Sequence, residues 1–250
     1  MNTLDNNTIL LFDVDGTLTI PRQKIDQTMK DFMMEVREKV STAVVSGSDM
    51  AKLIEQLGDN LKDVLSCFDY VFSENGLVSF KGATPCCPQS IKQCIGEERL
   101  KKLINFTLRE FSEIDLPVKR GNFIEFRNGM LNLSPIGRNC TQEERLQFVD
   151  YDMKHGIRQE FVEKLRNFTK GWNLSVCIGG QISIDVFPCG WDKTFCLRFL
   201  TDFQSIHFFG DKTSPGGNDY DLFINPKIKG HTVLNPKDTM EQVRKLLKTL

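Results

Sequence analysis

The chain has 250 residues, 40% hydrophobic and 26% charged, with a formal net charge of −1. That balance is ordinary for a globular protein of one large domain or two modest ones, and it excludes a basic nucleic-acid footprint or a polybasic membrane patch. No apolar run approaches the ~20 residues of a membrane-spanning helix, so an anion site must come from locally placed arginines. Residues 1–8 lack the charged and apolar regions of a signal peptide. The eight cysteines are scattered, with Cys86 and Cys87 adjacent. They read as reduced thiols of a cytoplasmic protein rather than as a disulfide framework.

Residues 8–12 form an almost wholly apolar strand, of the kind that parallel sheets bury on both faces. Helical spacing of Ile25, Met29, Phe32, Met33, Val36 and Val40 predicts an amphipathic helix over 24–39. Residues 42–45 read as a second strand, and Ser48 or Asp49 as the cap of a following helix. A third strand at 70–72 precedes the Asn75-Gly76 hairpin signal and residues 77–80. This alternation predicts a doubly wound α/β core whose ligand crevice lies at the carboxyl ends of its strands.

The pattern changes after about residue 85. A charged helix over 97–114 is followed by a hairpin across Asn128-Gly129, helices near 143–154 and 158–168, and a strand pair across Gly179-Gly180. Segregated elements of this kind predict an inserted α+β layer. The α/β pattern then returns, with a helix over 193–203, strands at 206–209 and 232–234, and a last helix over 237–248. The expected division is core 1–85, inserted cap 86–187 and core 188–250.

The most specific string is Asp13-Val14-Asp15-Gly16-Thr17, directly after the first strand. Paired carboxylates are too costly to bury unpaired, but at a strand end they can face a divalent cation and take up a phosphoryl group. Gly210-Asp211 follows the strand at 206–209 and opens a loop that runs to Asn218-Asp219. If the two strands are parallel neighbours, Asp13 and Asp211 converge on one ion. Oxygen ligands without His or Cys point to Mg²⁺ rather than zinc. Ser46 offers a hydroxyl to a phosphate, and Lys193 a charge to the carboxylates; in isolation, each is equally at home as a routine loop serine or a solvated lysine.

Together, Asp13-x-Asp15-Gly16-Thr17, Ser46, Lys193 and Gly210-Asp211 with Asn218-Asp219 resemble the four signature motifs of the haloacid dehalogenase superfamily. Longer segments narrow the likeness. Phe123-Ile-Glu-Phe-Arg-Asn-Gly-Met-Leu-Asn132, Ser134-Pro-Ile-Gly-Arg138, Gln142-Glu-Glu-Arg145 and Gly179-Gly-Gln-Ile-Ser-Ile-Asp-Val-Phe-Pro188 resemble the eukaryotic phosphomannomutase family. So do residues 12–23, Gly190-Trp-Asp-Lys193 and residues 210–219. The resemblance implies a Rossmann-like core with a parallel sheet and an inserted cap. It implies interconversion of mannose 6-phosphate and mannose 1-phosphate for GDP-mannose synthesis, with Mg²⁺ and a hexose 1,6-bisphosphate activator. Asp13 would be nucleophile and metal ligand. Asp15 would bind the metal through its carbonyl while its side chain serves as general acid and base. Asp211 would be the other metal ligand, Ser46 a phosphoryl donor and Lys193 the charge neutraliser.

By the same resemblance Arg22, Arg127, Arg138 and Arg145 would grip the non-reacting phosphate and the sugar, with Ser183 and Asp185 as further contacts. Asn218 and Asp219 would support Lys193 and the metal shell. A loop through Phe223 and Asn225 corresponds to a second cation site. There the family commonly carries Asp, and Asn225 keeps an oxygen but loses a charge. The partners implied are hexose phosphates and a second copy of the chain, in a homodimer through the caps, with neither nucleic acid nor membrane. A sugar phosphatase on the same scaffold and a non-catalytic sugar-phosphate sensor are the rival readings; phosphoglucomutase side activity is compatible with the same motifs.

Overall fold

The computed structural model describes residues 5–86 and 89–250. Cys87 and the first four residues of the N-terminal reading lie outside them. The chain divides into two compact units, Met1–Pro88 with Gly190–Leu250, and Gln89–Cys189. Cys67, Cys86, Cys94, Cys140, Cys189 and Cys196 are free thiols. No helix among the described residues is long and apolar enough to cross a membrane.

The first stretch contains β1 (Asp5–Phe12), α1 (Gln27–Arg37), β2 (Val40–Val45), α2 (Met50–Leu57), α3 (Leu61–Cys67), β3 (Tyr70–Ser73), β4 (Val78–Lys81) and β5 (Thr84–Pro85). The second unit follows with α4 (Ile91–Ile95), α5 (Glu97–Glu113), β6 (Ile124–Phe126), β7 (Leu131–Leu133), α6 (Gln142–His155), α7 (Ile157–Phe168), β8 (Leu174–Ile178) and β9 (Ile184–Pro188). The chain closes with a 3-10 segment over Lys193–Phe199, β10 (Ser205–Gly210), α8 (Tyr220–Phe223), β11 (Ile228–Thr232) and α9 (Pro236–Leu246).

In the first unit the sheet order is β11-β10-β1-β2-β3-β4-β5. The first five are parallel, and β4 and β5 add an antiparallel edge. Ile9, Leu10, Leu11 and Phe12 are wholly buried because both faces of the sheet are covered. Leu10, Phe12, Val44 and Phe209 share one apolar cluster with α1; Ile9, Leu11, Ala43 and Phe208 share another with the 3-10 segment. The parallel core puts the carboxyl ends of β1, β2 and β10 on one edge, where the candidate site forms.

Several boundaries differ from the sequence reading for local reasons. Helix α1 begins at Gln27 because the Asp26 side chain accepts from Met29 N (2.8 Å) and caps it. Asp49, rather than Ser48, caps α2 through Lys52 N (2.9 Å). The β3–β4 connection is a 3-10 turn over Glu74–Gly76 rather than a two-residue hairpin, with Asn75 at φ 65. The segment after Asp192 is 3-10 and stops at Phe199; its backbone lies so close to Gly76 that a Cβ there would stand 3.1 Å from Cys196 Cα. The strand expected at 232–234 is instead β11, Ile228–Thr232. It is an edge strand carrying Lys229, Gly230 and His231, so it lacks the apolar run that betrays a central strand.

The second unit is a four-stranded antiparallel sheet in the order β6-β7-β9-β8. Leu131, Leu133, Ile184 and Val186 pack with Leu103, Phe111, Phe161 and Leu165 of α5 and α7. Strand alternation sends the intervening residues to the opposite face. There Glu125, Asn132 and Asp185 lie in register across β6, β7 and β9.

Candidate active site

Phe12 and Phe209 are register partners on parallel neighbours, and Asp13 N donates to Phe209 O (2.9 Å), extending the ladder by one residue. Asp13 therefore stands at the strand end, buried yet at the opening of the turn. Gly16 explains the glycine of the motif. It sits at φ +84, which favours glycine, and a Cβ there would lie 2.5 Å from Asp211 Oδ2. The missing side chain is the space into which Asp211 projects.

Lys193 is 3% exposed and its Nζ donates to Asp13 Oδ1 and, at 2.6 Å, to Asp219 Oδ1. Asp219 is wholly buried, and its other oxygen accepts from Lys212 N (3.1 Å). Burial pushes the Asp13 carboxyl up to about 6 despite the pull of Lys193. Burial opposes the Lys193 ammonium, but Asp13 and Asp219 outweigh it and hold its pKa above the usual lysine value. Burial likewise raises Asp211.

Asp13, Asp211 and Asp219 each offer a carboxylate oxygen within 4.8 Å of one another. Three carboxylates against one ammonium leave two negative charges when all are ionised, and Asp211 Oδ1 is buried with no hydrogen-bond partner. An all-oxygen, doubly negative set with a bare buried oxygen fits a hard dication such as Mg²⁺. Both Asp219 oxygens have close donors, at 2.6 and 3.1 Å, whereas Asp13 Oδ2 accepts from Thr17 Oγ1 at the long distance of 3.5 Å and Asp211 Oδ1 is bare, so Asp13 and Asp211 are the better-placed ligands.

The Asp15 side chain faces a different set. Its Oδ1 accepts from Arg22 N (2.6 Å) and Gln56 Nε2 (2.9 Å). Arg22 adopts φ 65, uncommon for a side-chain-bearing residue, while its own side chain is exposed. Ser46 ends β2 with its N–H donating to Phe72 O (2.9 Å) and its Oγ accepting from Ser48 N (3.1 Å). Asn218 is exposed. Phe223 lies at the end of α8, and Asn225 Oδ1 accepts from Lys227 N (3.1 Å) in the turn that follows.

A second constellation forms in the other unit. Glu125 Oε2 accepts from Arg127 Nη2 (2.7 Å) and forms an ion pair with Arg138 Nε (3.0 Å), so one carboxylate holds two guanidinium groups. Asn132 is 4% exposed; its Oδ1 accepts from Arg138, and its Nδ2 donates to Asp185 Oδ1 (2.6 Å). Burial raises the Asp185 carboxyl even though Arg127 and Arg138 pull it down. Arg145 lies on α6 and has no carboxylate partner among the described residues; burial, joined by the nearby charges of Arg127 and Arg145, lowers the Arg138 pKa. Ser183 is buried beside the β8–β9 turn, where a Cβ on Gly179 would meet Ser183 Oγ at 2.7 Å and Asp185 Oδ2 at 2.8 Å.

The structure thus gathers Asp13, Asp211, Asp219 and Lys193 in one cluster, and Arg127, Arg138 and Asp185 in another. Sequence reasoning missed Gln56, Glu125 and Asn132 as members of these networks. Gln56 left a signal, because a polar residue stands on the buried side of α2 beside Leu53 and Leu57. Glu125 and Asn132 left only their alternation with apolar neighbours on β6 and β7.

Comparison with known proteins places these clusters in a family context. The family described as eukaryotic phosphomannomutase is matched over residues 29–249. A probable phosphomannomutase of Caenorhabditis elegans is 60% identical over 98% of this chain and 97% of its own length. A phosphomannomutase of Dendrobium officinale is 57% identical over 94% and 92%. Among solved structures, a haloacid dehalogenase-like hydrolase from Bacteroides thetaiotaomicron superposes with a TM-score of 0.60 at 12% identity, over 96% of this chain and 99% of that one. That likeness is one of fold.

Proposed function

The chain belongs to the eukaryotic phosphomannomutase family, and we propose that it interconverts mannose 6-phosphate and mannose 1-phosphate by passing a phosphoryl group through Asp13. The observation that carries the mechanism is the buried Lys193, held between Asp13 Oδ1 and Asp219 Oδ1. It occupies Asp13 Oδ1, and Oδ2, where Thr17 Oγ1 donates at the long distance of 3.5 Å, is the attacking oxygen. Mg²⁺ held by Asp13, Asp211 and the Asp15 carbonyl would neutralise phosphoryl charge and polarise the P–O bond.

In the first half-reaction Asp13 Oδ2 attacks a phosphorus of a hexose 1,6-bisphosphate. The bond to the sugar oxygen breaks, and Asp15 gives that oxygen its proton. In the second, Asp15 takes the proton from a hydroxyl of the acceptor hexose phosphate, which attacks the phosphoryl group and restores the Asp13 carboxylate. Ser46 donates to a phosphoryl oxygen. Arg127, Arg138 and Arg145 bind the non-reacting phosphate, as guanidinium forks suit phosphate oxygens, with Arg22 assisting. Ser183 and Asp185 orient the sugar. The mannose 1-phosphate formed is a glycosyl phosphate suited to nucleotidyl transfer, which is its use in making GDP-mannose.

A homodimer through the caps belongs to the same reading. The functional test supplies mannose 1-phosphate, Mg²⁺ and catalytic glucose 1,6-bisphosphate. Accumulation of mannose 6-phosphate is the expected result; release of free mannose and inorganic phosphate in its place would identify a phosphatase.

A further inference from the structure

Gln56 is a polar side chain that is 5% exposed on a helix whose neighbouring positions are apolar. Its side-chain amide nitrogen donates to Asp15 Oδ1 (2.9 Å), and its main-chain carbonyl accepts from Ile25 N (2.7 Å), which ties the end of α2 to the loop that carries Arg22. Its amide oxygen, Oε1, is buried without a partner. An unpartnered buried acceptor is unfavourable, and an apolar side chain of the same shape would avoid it. Packing alone therefore does not account for glutamine here. Its donor does.

We propose that Gln56 is a positioning residue for acid–base transfer by Asp15, an inference that rests on the acid–base role given to Asp15 above. Two donors converge on Asp15 Oδ1, the Arg22 N–H at 2.6 Å and the Gln56 amide at 2.9 Å. An oxygen already accepting two hydrogen bonds is the poorer place for a proton, so the proton is carried on Oδ2. The same pair of donors fixes the rotation of the carboxyl group, and hence the direction in which Oδ2 points. Arg22 supplies its donor from the main chain, in the left-handed region, so no side-chain change at 22 removes it. Gln56 is the half of this clamp that substitution can open.

The inference separates from a structural role through the leaving group. A sugar alkoxide needs a proton as it departs, whereas acetate departing from acetyl phosphate does not. Rapid-quench measurement of Asp13 phosphorylation, with glucose 1,6-bisphosphate and with acetyl phosphate as donors, reads the difference. Gln56→Met, which keeps length and removes the donor, is expected to slow phosphorylation by the bisphosphate about tenfold or more, a part of the 10²–10⁴ that general acids supply. The half-saturating bisphosphate concentration and the acetyl phosphate rate should stay within about twofold of the parent. Gln56→Glu, isosteric and with a carboxylate in place of the amide, carries the same test should the methionine variant fold poorly.

Equal loss with both donors, a half-saturating concentration that moves with the rate, or no loss at all would each overturn the role of Gln56. Asp15→Asn runs in parallel as the control on the underlying reading. Selective loss in Asp15→Asn without selective loss at Gln56 contradicts the positioning role alone. Absence of selectivity in Asp15→Asn contradicts the acid–base role itself.

Discussion

Lys193 Nζ lies 2.6 Å from Asp219 Oδ1 in a place where the lysine is 3% exposed and the aspartate is wholly buried. The same ammonium also meets Asp13, so one cation compensates two buried carboxylates. A buried charge left without its partner is strongly destabilising. Lys193→Met is therefore expected to lower stability by about 3–5 kcal/mol and to abolish mutase turnover. Chemical denaturation and a coupled assay check the two halves. Full stability in that variant would contradict the ion-pair account.

Gly16 and Asp211 make a steric pair. Alanine at 16 would place its Cβ 2.5 Å from Asp211 Oδ2 at φ +84, so Asp211 must move and the backbone is strained. The expected cost is about 1–3 kcal/mol, together with a higher Mg²⁺ concentration for half-maximal activity. Titrating activity against Mg²⁺ in Gly16→Ala and the parent reads the second effect. An unchanged Mg²⁺ dependence would remove Asp211 from the ligand set.

Asn132 links Arg138 to Asp185 from opposite ends of one amide. Asn132→Ala frees both while leaving Glu125 on the two arginines. The KM for mannose 1-phosphate should rise about tenfold, since a hydrogen bond to a charged group contributes ~1.5–3 kcal/mol and Glu125 retains part of the order. The maximal rate should change little, because chemistry occurs at Asp13. Steady-state kinetics separate the two terms.

His207 and His231 share a hydrogen bond (Nδ1 to Nε2, 2.9 Å) on neighbouring strands β10 and β11. Burial, then the His231 charge, brings His207 down from 6.5 to about 4. The unfolded chain consequently binds the proton more tightly. The stability contributed by neutral His207 is whole above pH 6.5 and is lost as pH falls from 6.5 toward 4. Urea denaturation across that window should show a steeper loss in the parent than in His207→Asn. Parallel curves would contradict the assigned neutral state.

The core and the opening motif were legible because an apolar strand running into two carboxylates is a pattern that few other structures explain. Asp13 and Asp211 could be paired from sequence once their strands were taken as parallel neighbours, and Phe12 opposite Phe209 bears that out. Strand β11 was misplaced because its pairing is made by main-chain groups, which leave no apolar signature at Lys229-Gly230-His231. The 3-10 form after Asp192 reflects packing on Gly76, more than a hundred residues away in sequence. The hydrogen bonds of Gln56 and Asn132 were hidden for the same reason. Each depends on a partner that tertiary structure supplies, Asp15 in one case and Asp185 in the other.

The covalent phosphoryl carrier is the centre of this account, and acid-quenched single-turnover labelling tests it most directly. Enzyme mixed with glucose 1,6-bisphosphate bearing radioactive phosphate is quenched, digested and mapped by mass spectrometry. The label is expected on Asp13, discharged by added mannose 1-phosphate and absent from Asp13→Asn. Label on another residue, or full turnover in Asp13→Asn, would contradict it.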